Sequence, residues 1–374
     1  MKRELIVIFT AVGFIMGSTN VYYYYFIYKT FSMVHLFYSI TIGNFLAIIL
    51  SFLYFKHEQK LKTINNTIII SLFLLALADS IVYVSMIAHN VLYAYISTII
   101  FALAWILLWS SNEYYLMKLN GFKDRAKIVG NRLFIQNITA ATTAYIMGKL
   151  LVDPMITLKV SFTMKIIFAI ILSVLLPHIS IDEYDVITPK TTLNWLTKKS
   201  LVVVAVLLLT NFAAMLFSSS RSAFINEEFG ESFIGLFVAL GFLAQITTSR
   251  TVTAWVTKHN NLLKRAGVLL FFLGAGFHFT NNDIIMAITI IFATALFTII
   301  TLAQRHLIFR YSHHTNTRSI IVFGRYVGAV TRSLVSTVIF LGIVTPIGVF
   351  QYIGTFLIAL AIINVILWYF YERA

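Results

Sequence analysis

The sequence predicts an all-α polytopic membrane protein with twelve transmembrane helices, arranged as two pseudo-symmetric six-helix bundles. Its 374 residues are 59% hydrophobic and only 11% charged, with a mean hydropathy of +0.88. Because the apolar share of a soluble domain is about half, this composition excludes a single soluble domain. The apolar residues fall into twelve runs, and most are close to the roughly 20 residues that a helix needs to cross a bilayer.

Each predicted helix corresponds to one apolar run. Dividing 374 residues among twelve helices leaves about 31 residues for each helix with its connector, so no large extramembrane domain fits. The first run directly follows Met1-Lys2-Arg3, and we expect it to be retained as a helix. In chain order the runs cover residues 5–27, 32–55, 66–87, 91–117, 133–151, 157–178, 200–219, 232–255, 266–280, 283–303, 319–343 and 346–370.

The positions of the basic residues predict the orientation. If the N terminus is cytoplasmic, most of the 28 Lys and Arg residues lie at the inner ends of the runs, and the outer ends hold Lys29, Lys149, Lys159 and Arg221. Cytoplasmic loops carry such an excess. We therefore expect both termini in the cytoplasm, at the plasma membrane. Topology and attraction to anionic lipid then explain most of the net charge of +14, which argues against nucleic-acid binding.

Two features divide the chain into halves. The longest polar connector lies near the midpoint, and the pattern Lys-His-x-x-x-Leu-Lys occurs both at Lys56–Lys62 and at Lys258–Lys264, after the second run of each half. Many membrane transport proteins are built from two such repeats. We expect an N-terminal bundle (1–178), a cytoplasmic linker (179–199) and a C-terminal bundle (200–374).

The fourth and fifth runs have a distinctive order of residues. A small-residue pair and a glutamate close the fourth run at Ser110-Ser111-Asn112-Glu113, a charged loop extends from Lys118 to Arg125, and the fifth run carries small residues up to Gly148. With the aromatic stretch from Tyr22 to Phe26, this order resembles the major facilitator superfamily. The superfamily's basic loop between helices 2 and 3 is degenerate here, because Ser51, Phe55 and Glu58 replace its Gly, Asp and second Gly.

Two acids lie inside the apolar runs, where an unpaired charge costs at least ~2.5–3.5 kcal/mol on insertion scales. Asp79 is far from both membrane faces, so it is either a proton-coupling site or a structural hydrogen-bonding group. Glu113 lies near the inner end of its run, where it is either the reserve coupling acid or a solvated or Arg-paired carboxylate. By depth, Arg332 is the expected cation beside Asp79.

The eleventh run contains two deep arginines. Arg325 and Arg332 are seven residues apart and therefore share a helical face, with Gly324 and Gly328 beside them. We expect the glycines to permit close helix packing and the arginines to bind an anion or a counter-ion. Arg325 could instead extend to the cytoplasmic surface.

The resemblance implies that helices 1, 4, 7 and 10 line a central cavity. It thereby adds Asn20, Tyr23, Trp109 and Asn211, besides Glu113, as candidate substrate-binding residues, and polar Gln136 of the fifth run joins them. The alternative is that the tyrosines form an interfacial aromatic belt and that the polar residues only join helices.

These observations favour a secondary active transporter that moves a small polar or anionic organic solute by alternating access, coupled to protons. We expect a monomer without a cofactor, metal or enzymatic activity. Cysteine is absent, no phosphate-binding loop occurs, and His313-His314 has no nearby carboxylate. A polytopic enzyme acting on lipid-linked sugars, which would need a large outer loop or convergent acid and base groups, and a nontransporting relative are the alternatives.

The first prediction concerns topology. We expect reporter fusions to place the N terminus, the C terminus and Lys198 on the cytoplasmic side, since basic residues resist translocation. At each position, one reporter that is active only in the cytoplasm and a second that is active only outside it provide the measurement. A fusion that places Lys198 outside would overturn the predicted orientation.

Overall fold

Twelve long α-helices form the molecule in this computed structural model, which describes residues 3–61, 65–120, 125–176, 198–257, 262–279, 282–311 and 317–371. The described residues contain no strand. A 3₁₀ turn covers Glu231–Phe233, and a one-turn helix covers Thr337–Phe340. The helices are α1 (Arg3–Phe31), α2 (Met33–Leu61), α3 (Asn65–Ala88), α4 (Val91–Asn120), α5 (Arg125–Leu150), α6 (Pro154–Leu175), α7 (Lys198–Glu228), α8 (Ile234–Thr257), α9 (Leu262–His278), α10 (Asp283–Tyr311), α11 (Thr317–Ser333) and α12 (Pro346–Tyr371).

Helices dominate because hydrocarbon offers no partner for backbone polar groups, so each span must satisfy them internally. Nine helices in the described part are long and apolar enough to cross a membrane, and α5, α9 and α11 are the remaining three. Of these, α9 and α11 have 17 residues each. Local signals set some ends: Asp153 accepts a hydrogen bond from the Ile156 amide, and Pro154 begins α6.

The packing of the helices is pseudo-symmetric. In the first bundle α1 contacts α5, α2 contacts α4, and α3 contacts α6, while in the second α7 contacts α11, α8 contacts α10, and α9 contacts α12. The predicted fold class is therefore confirmed. The predicted linker 179–199 lies outside the described residues except for Lys198 and Lys199, which begin α7. Residues 62 and 258–261 of the repeated connector pattern also lie outside them.

Three predicted segment ends are wrong in ways that affect the site. α5 begins at Arg125 rather than at 133, so Arg132 is a helix residue. α7 continues to Glu228 rather than ending at 219, which places Arg221 within the helix and not in an outer connector. The run 319–343 is interrupted after Ser333. For α7, hydropathy alone misplaced the end because its last turns contain the buried polar residues Ser220, Arg221 and Ser222.

The two bundles meet along pairs of helices that the pseudo-symmetry exchanges, chiefly α5 with α8 and α2 with α11. Glycines allow the closest approach between α5 and α8. A Cβ atom built on Gly148 would lie 2.8 Å from the backbone nitrogen of Gly235, and one built on Gly235 would lie 2.7 Å from the Ala144 carbonyl oxygen. Small residues at such crossings are the usual means by which membrane helices approach each other.

The second prediction tests this crossing. We expect Gly148→Ala to lower the melting temperature of the purified protein, because an added methyl group overpacks a full interface by about 1–3 kcal/mol. Gly324→Ala is the matched control, since nothing lies within 4 Å of a Cβ atom at that position. Scanning fluorimetry in detergent compares the two variants. Equal melting temperatures would contradict the assigned crossing.

Candidate functional site

An ion pair joins the two bundles. Arg325 of α11 donates from its guanidinium to Oε1 of Glu113 on α4, and the two side chains are 11% and 26% exposed. The Trp109 ring lies beside this pair, with the guanidinium carbon of Arg325 5.0 Å from its centroid. Arg132 of α5 lies 5.0 Å from the same ring.

Gln136 belongs to the same cluster. Arg132 Nε donates to Gln136 Oε1 at 3.2 Å, one helical turn along α5. The side-chain nitrogens of Trp109 and Gln136 are buried and have no hydrogen-bond partner. The structure therefore brings together four of the predicted site residues, Trp109, Glu113, Gln136 and Arg325, around an arginine that the sequence interpretation had placed at the inner membrane surface.

An aromatic row leads away from this cluster along α4. Phe101, Trp105 and Trp109 are spaced by four residues and so lie on one face of the helix. The ring centroids of Phe101 and Trp105 are 5.7 Å apart, and those of Trp105 and Trp109 are 5.6 Å apart. Tyr23 of α1 extends the row, because its ring stacks on Phe101 at 4.2 Å and its hydroxyl hydrogen-bonds to Ser97 Oγ at 2.8 Å.

Arg332 is the second deep arginine of α11. It is half-buried, and its Nε contacts the Met215 sulfur at 3.2 Å. Within the described ranges it has no carboxylate partner. The neighbouring glycines differ from expectation: in the described part of the chain, nothing lies within 4 Å of a Cβ atom built on Gly324 or Gly328. The predicted close helix packing at these glycines is therefore wrong, and both border open space.

Asp79 has a different cation from the one expected. Its Oδ2 accepts from Lys165 Nζ at 2.6 Å and from Ser161 Oγ at 2.8 Å, and its Oδ1 accepts from the Tyr22 hydroxyl at 2.6 Å. Both charged side chains are 0% exposed. All four residues belong to α1, α3 and α6 of one bundle, so the predicted pairing with Arg332 is wrong.

Asn20 contacts an arginine that the sequence interpretation had assigned to an outer connector. Arg221 of α7 donates to Asn20 Oδ1 at 3.2 Å and to Thr294 Oγ1 of α10 at 3.0 Å. Arg221 is 2% exposed, its Nε has no partner, and the described residues give it no carboxylate. Asn211, which precedes Arg221 in α7, is buried, and its Nδ2 has no hydrogen-bond partner among the described residues.

The two bundles also contact each other at the end that we predict to be the outer one. Tyr25 donates to Asn226 Oδ1 at 3.2 Å, and Tyr28 donates to Glu227. Lys29 lies 3.0 Å from Glu231 in a partly exposed ion pair. These contacts join α1 to the end of α7 and the following turn.

Several solved structures have this architecture. The nucleoside transporter NupG is similar with a TM-score of 0.73 at 12% identity, covering 98% of this chain and 99% of that chain. A bacterial homologue of the iron transporter ferroportin in an inward-facing state has a TM-score of 0.68 at 11% identity, covering 99% of this chain and 98% of that chain. An auto-inhibited POT family peptide transporter has a TM-score of 0.70 at 11% identity, covering 100% of this chain and 98% of that chain. The fold is that of major facilitator transporters.

At these identities the likeness concerns the fold alone. No protein-family model and no curated protein sequence matches the chain. The major facilitator resemblance implied a cavity lined by helices 1, 4, 7 and 10. In this chain the charged side chains between the bundles come also from α5 and α11. The degenerate basic loop after α2 stays a prediction, because its last residues lie outside the described ranges.

Three functional candidates were missed in sequence: Arg132, Lys165 and Arg221. Each had a signal. Arg132 precedes Gln136 by one helical turn, and Lys165 lies in the middle of an apolar run. Arg221 is followed by the apolar residues 223–225, which continue the helix. These patterns show that the residues are helical and deep, but they cannot show which helix each one faces.

The third prediction concerns the Asp79–Lys165 pair. We expect Asp79→Asn or Lys165→Met alone to lower stability strongly, by about 3–5 kcal/mol, because each leaves an uncompensated buried charge. The double variant should recover most of the loss, since it removes both charges. Melting temperatures in detergent provide the measurement, and Glu228→Gln at an exposed position is the control. Additive losses in the double variant would contradict the pairing.

Proposed function

We propose that this protein is a secondary active transporter that moves a small polar or anionic organic solute by alternating access. The observation that supports an anion is the charge between the bundles. Arg325, Arg332, Arg221 and Arg132 lie there, and in the described part of the chain Glu113 is the one carboxylate that pairs with any of them. Buried cations without counter-charges stabilise a bound anion strongly.

The class of transporter follows from the fold rather than from any one solute. The solved neighbours are, by their own names, a nucleoside transporter, a homologue of an iron transporter and a peptide transporter, so they support transport without selecting a substrate. They also favour transport over the alternative of an enzyme acting on lipid-linked sugars. We expect a monomer in the plasma membrane with both termini in the cytoplasm and no cofactor.

Alternating access would require the contacts between the bundles to break and reform. The contacts of α1 with α7 at the predicted outer end are hydrogen bonds and one partly exposed ion pair, which contribute little individually. They can therefore open without a large energetic penalty. Rocking of the two bundles about a midplane site is the motion that such pseudo-symmetric transporters use.

Coupling to protons needs an acid whose surroundings change during that motion. Glu113 meets this condition because it is 26% exposed and its cation belongs to the other bundle. Asp79 meets it poorly, since it is fully buried and its partners Lys165, Tyr22 and Ser161 all move with it. We therefore rank Glu113 before Asp79 as the coupling group.

The remaining candidates receive proposed roles from their surroundings. Arg325 and Arg332 attract the anion, while Trp109 belongs to the aromatic row beside it and the buried Tyr23 supports that row by stacking on Phe101. Gln136, Asn20 and Asn211 offer polar contacts, and the unpartnered amide nitrogens of Gln136 and Asn211 are free to donate to a solute. Lipid surrounds the bundle as its solvent.

The fourth prediction tests transport and coupling together. A thermal-shift panel of organic anions, both aliphatic and aromatic, selects the solute, because a ligand that binds the folded state raises its stability. In proteoliposomes we expect a gradient of one pH unit to drive accumulation of that solute, up to about tenfold for one proton per anion. Glu113→Gln should abolish this accumulation and retain exchange at equal pH.

The matched control is the double variant Asp79→Asn with Lys165→Met, which removes the other buried carboxylate without leaving its lysine unpaired. It should keep accumulation driven by the pH gradient. Normal accumulation by Glu113→Gln would show that Glu113 is not the coupling acid. Failure of every anion in the panel to exchange across the membrane would contradict the transporter proposal itself.

A further inference from the structure

The aromatic row on α4 has one member that is not fully buried. Phe101 and Trp109 are buried, whereas Trp105 between them is half-buried. Its neighbours in the row cover its two ends, at ring distances of 5.7 and 5.6 Å. The accessible part of Trp105 is therefore a side that the row itself does not cover.

The ion pair sets the register of α11 against α4. Glu113 and Trp109 both contact Arg325, so that end of the row is level with Arg325. α4 and α11 run antiparallel to each other. Eight residues along α4 to Phe101 and seven along α11 to Arg332 correspond to about 12 and about 10.5 Å, so Arg332 is level with Phe101. Tyr24 supports this register, because its ring is 6.3 Å from Phe101 and it interacts electrostatically with Arg332.

Gly328 then lies level with Trp105. A Cβ atom built on Gly328 would have no atom of the described residues within 4 Å, and the same holds for Gly324. Gly328 also shares a helical face with Arg325 and Arg332, being three and four residues from them. By this register, the open middle of the α11 face is level with the half-buried indole of Trp105. We call the space between Trp105 and Gly328 the aromatic slot.

The two ends of the aromatic slot differ in charge. At the Trp109 end Arg325 is neutralised by Glu113. At the Phe101 end Arg332 contacts the Met215 sulfur and has no carboxylate partner among the described residues. One positive charge therefore remains, next to stacked aromatic rings. A guanidinium binds a carboxylate through two parallel hydrogen bonds.

We infer that the aromatic slot binds the substrate as a planar aromatic ring carrying one carboxylate, with the ring on Trp105 opposite Gly328 and the carboxylate at Arg332. This inference rests on the proposed function and specifies its substrate class. A flat ring stacks on an indole in an offset or edge-on geometry that a puckered saturated ring cannot adopt. The glycines leave room for the ring, and the unpaired arginine supplies the charge.

The test compares matched probes by isothermal titration on the purified protein. The probes are benzoate and 2-naphthoate, their saturated counterparts cyclohexanecarboxylate and decahydro-2-naphthoate, and the uncharged benzamide. We expect at least one aromatic anion to bind about tenfold or more tightly than its saturated counterpart and than benzamide. Quenching of tryptophan fluorescence should accompany its binding.

Variants on α11 locate the site. Gly328→Leu fills the slot and should weaken binding of the aromatic anion by about tenfold or more, and Arg332→Gln should remove the preference for the anion over benzamide. Val330→Leu is the matched control, because Val330 is on the same helix and 40% exposed on its outer side. Melting temperatures without ligand verify that each variant is folded.

The outcomes separate this inference from the proposed function. If the saturated anions bind as tightly as the aromatic ones, or if Gly328→Leu binds normally, the aromatic slot is not the site, and anion exchange in proteoliposomes would still support transport. If neither anion class binds and no organic anion exchanges, both proposals fail. Tight aromatic binding that is lost in Gly328→Leu and kept in Val330→Leu would support the slot.

Discussion

The burial of charge away from water is the constraint on which the rest of this structure depends. Hydrocarbon supplies no counter-ion, so a deep charge needs a partner on another helix. Asp79 and Lys165 satisfy each other within one bundle, with Tyr22 and Ser161 completing the hydrogen bonds. Glu113 and Arg325 satisfy each other across the two bundles. The first pair, with Tyr22 and Ser161, joins three helices of one bundle, whereas the second joins a helix of each bundle.

Glycines occur on two kinds of helix face in this structure. Where helices touch, glycine leaves no spare volume: Cβ atoms on Gly13 and Gly43 would lie 2.6 and 2.8 Å from atoms of α5 and α4. Where α11 faces the interior, Gly324 and Gly328 meet nothing within 4 Å. The same residue type therefore serves packing in one place and open volume in another. The first kind of face holds helices together, and the second is the one on which the proposed binding site depends.

The sequence alone predicted the all-helical fold well, because apolar run length is a property of each single helix. Trp109, Glu113, Gln136 and Arg325 were candidates from the sequence, which did not show that they lie in one cluster. Pairing could not be predicted: depth suggested Arg332 for Asp79, but the facing of α6 brings Lys165 there instead. Gly324 and Gly328 were misread for the same reason, since spacing does not tell whether a glycine faces a helix or a cavity.

The position of Trp109 suggests how the two proposed events, proton binding and anion binding, would be linked. Its ring contacts Arg325 and Arg132 and ends the aromatic row that leads to Arg332. Protonation of Glu113 would remove the one negative charge paired with these arginines, which raises the positive potential along the slot. Anion affinity would then rise with Glu113 protonated, and by thermodynamic reciprocity a bound anion would raise proton affinity equally. Proton and anion would therefore bind and leave together, which makes symport the direction of coupling that this charge arrangement favours.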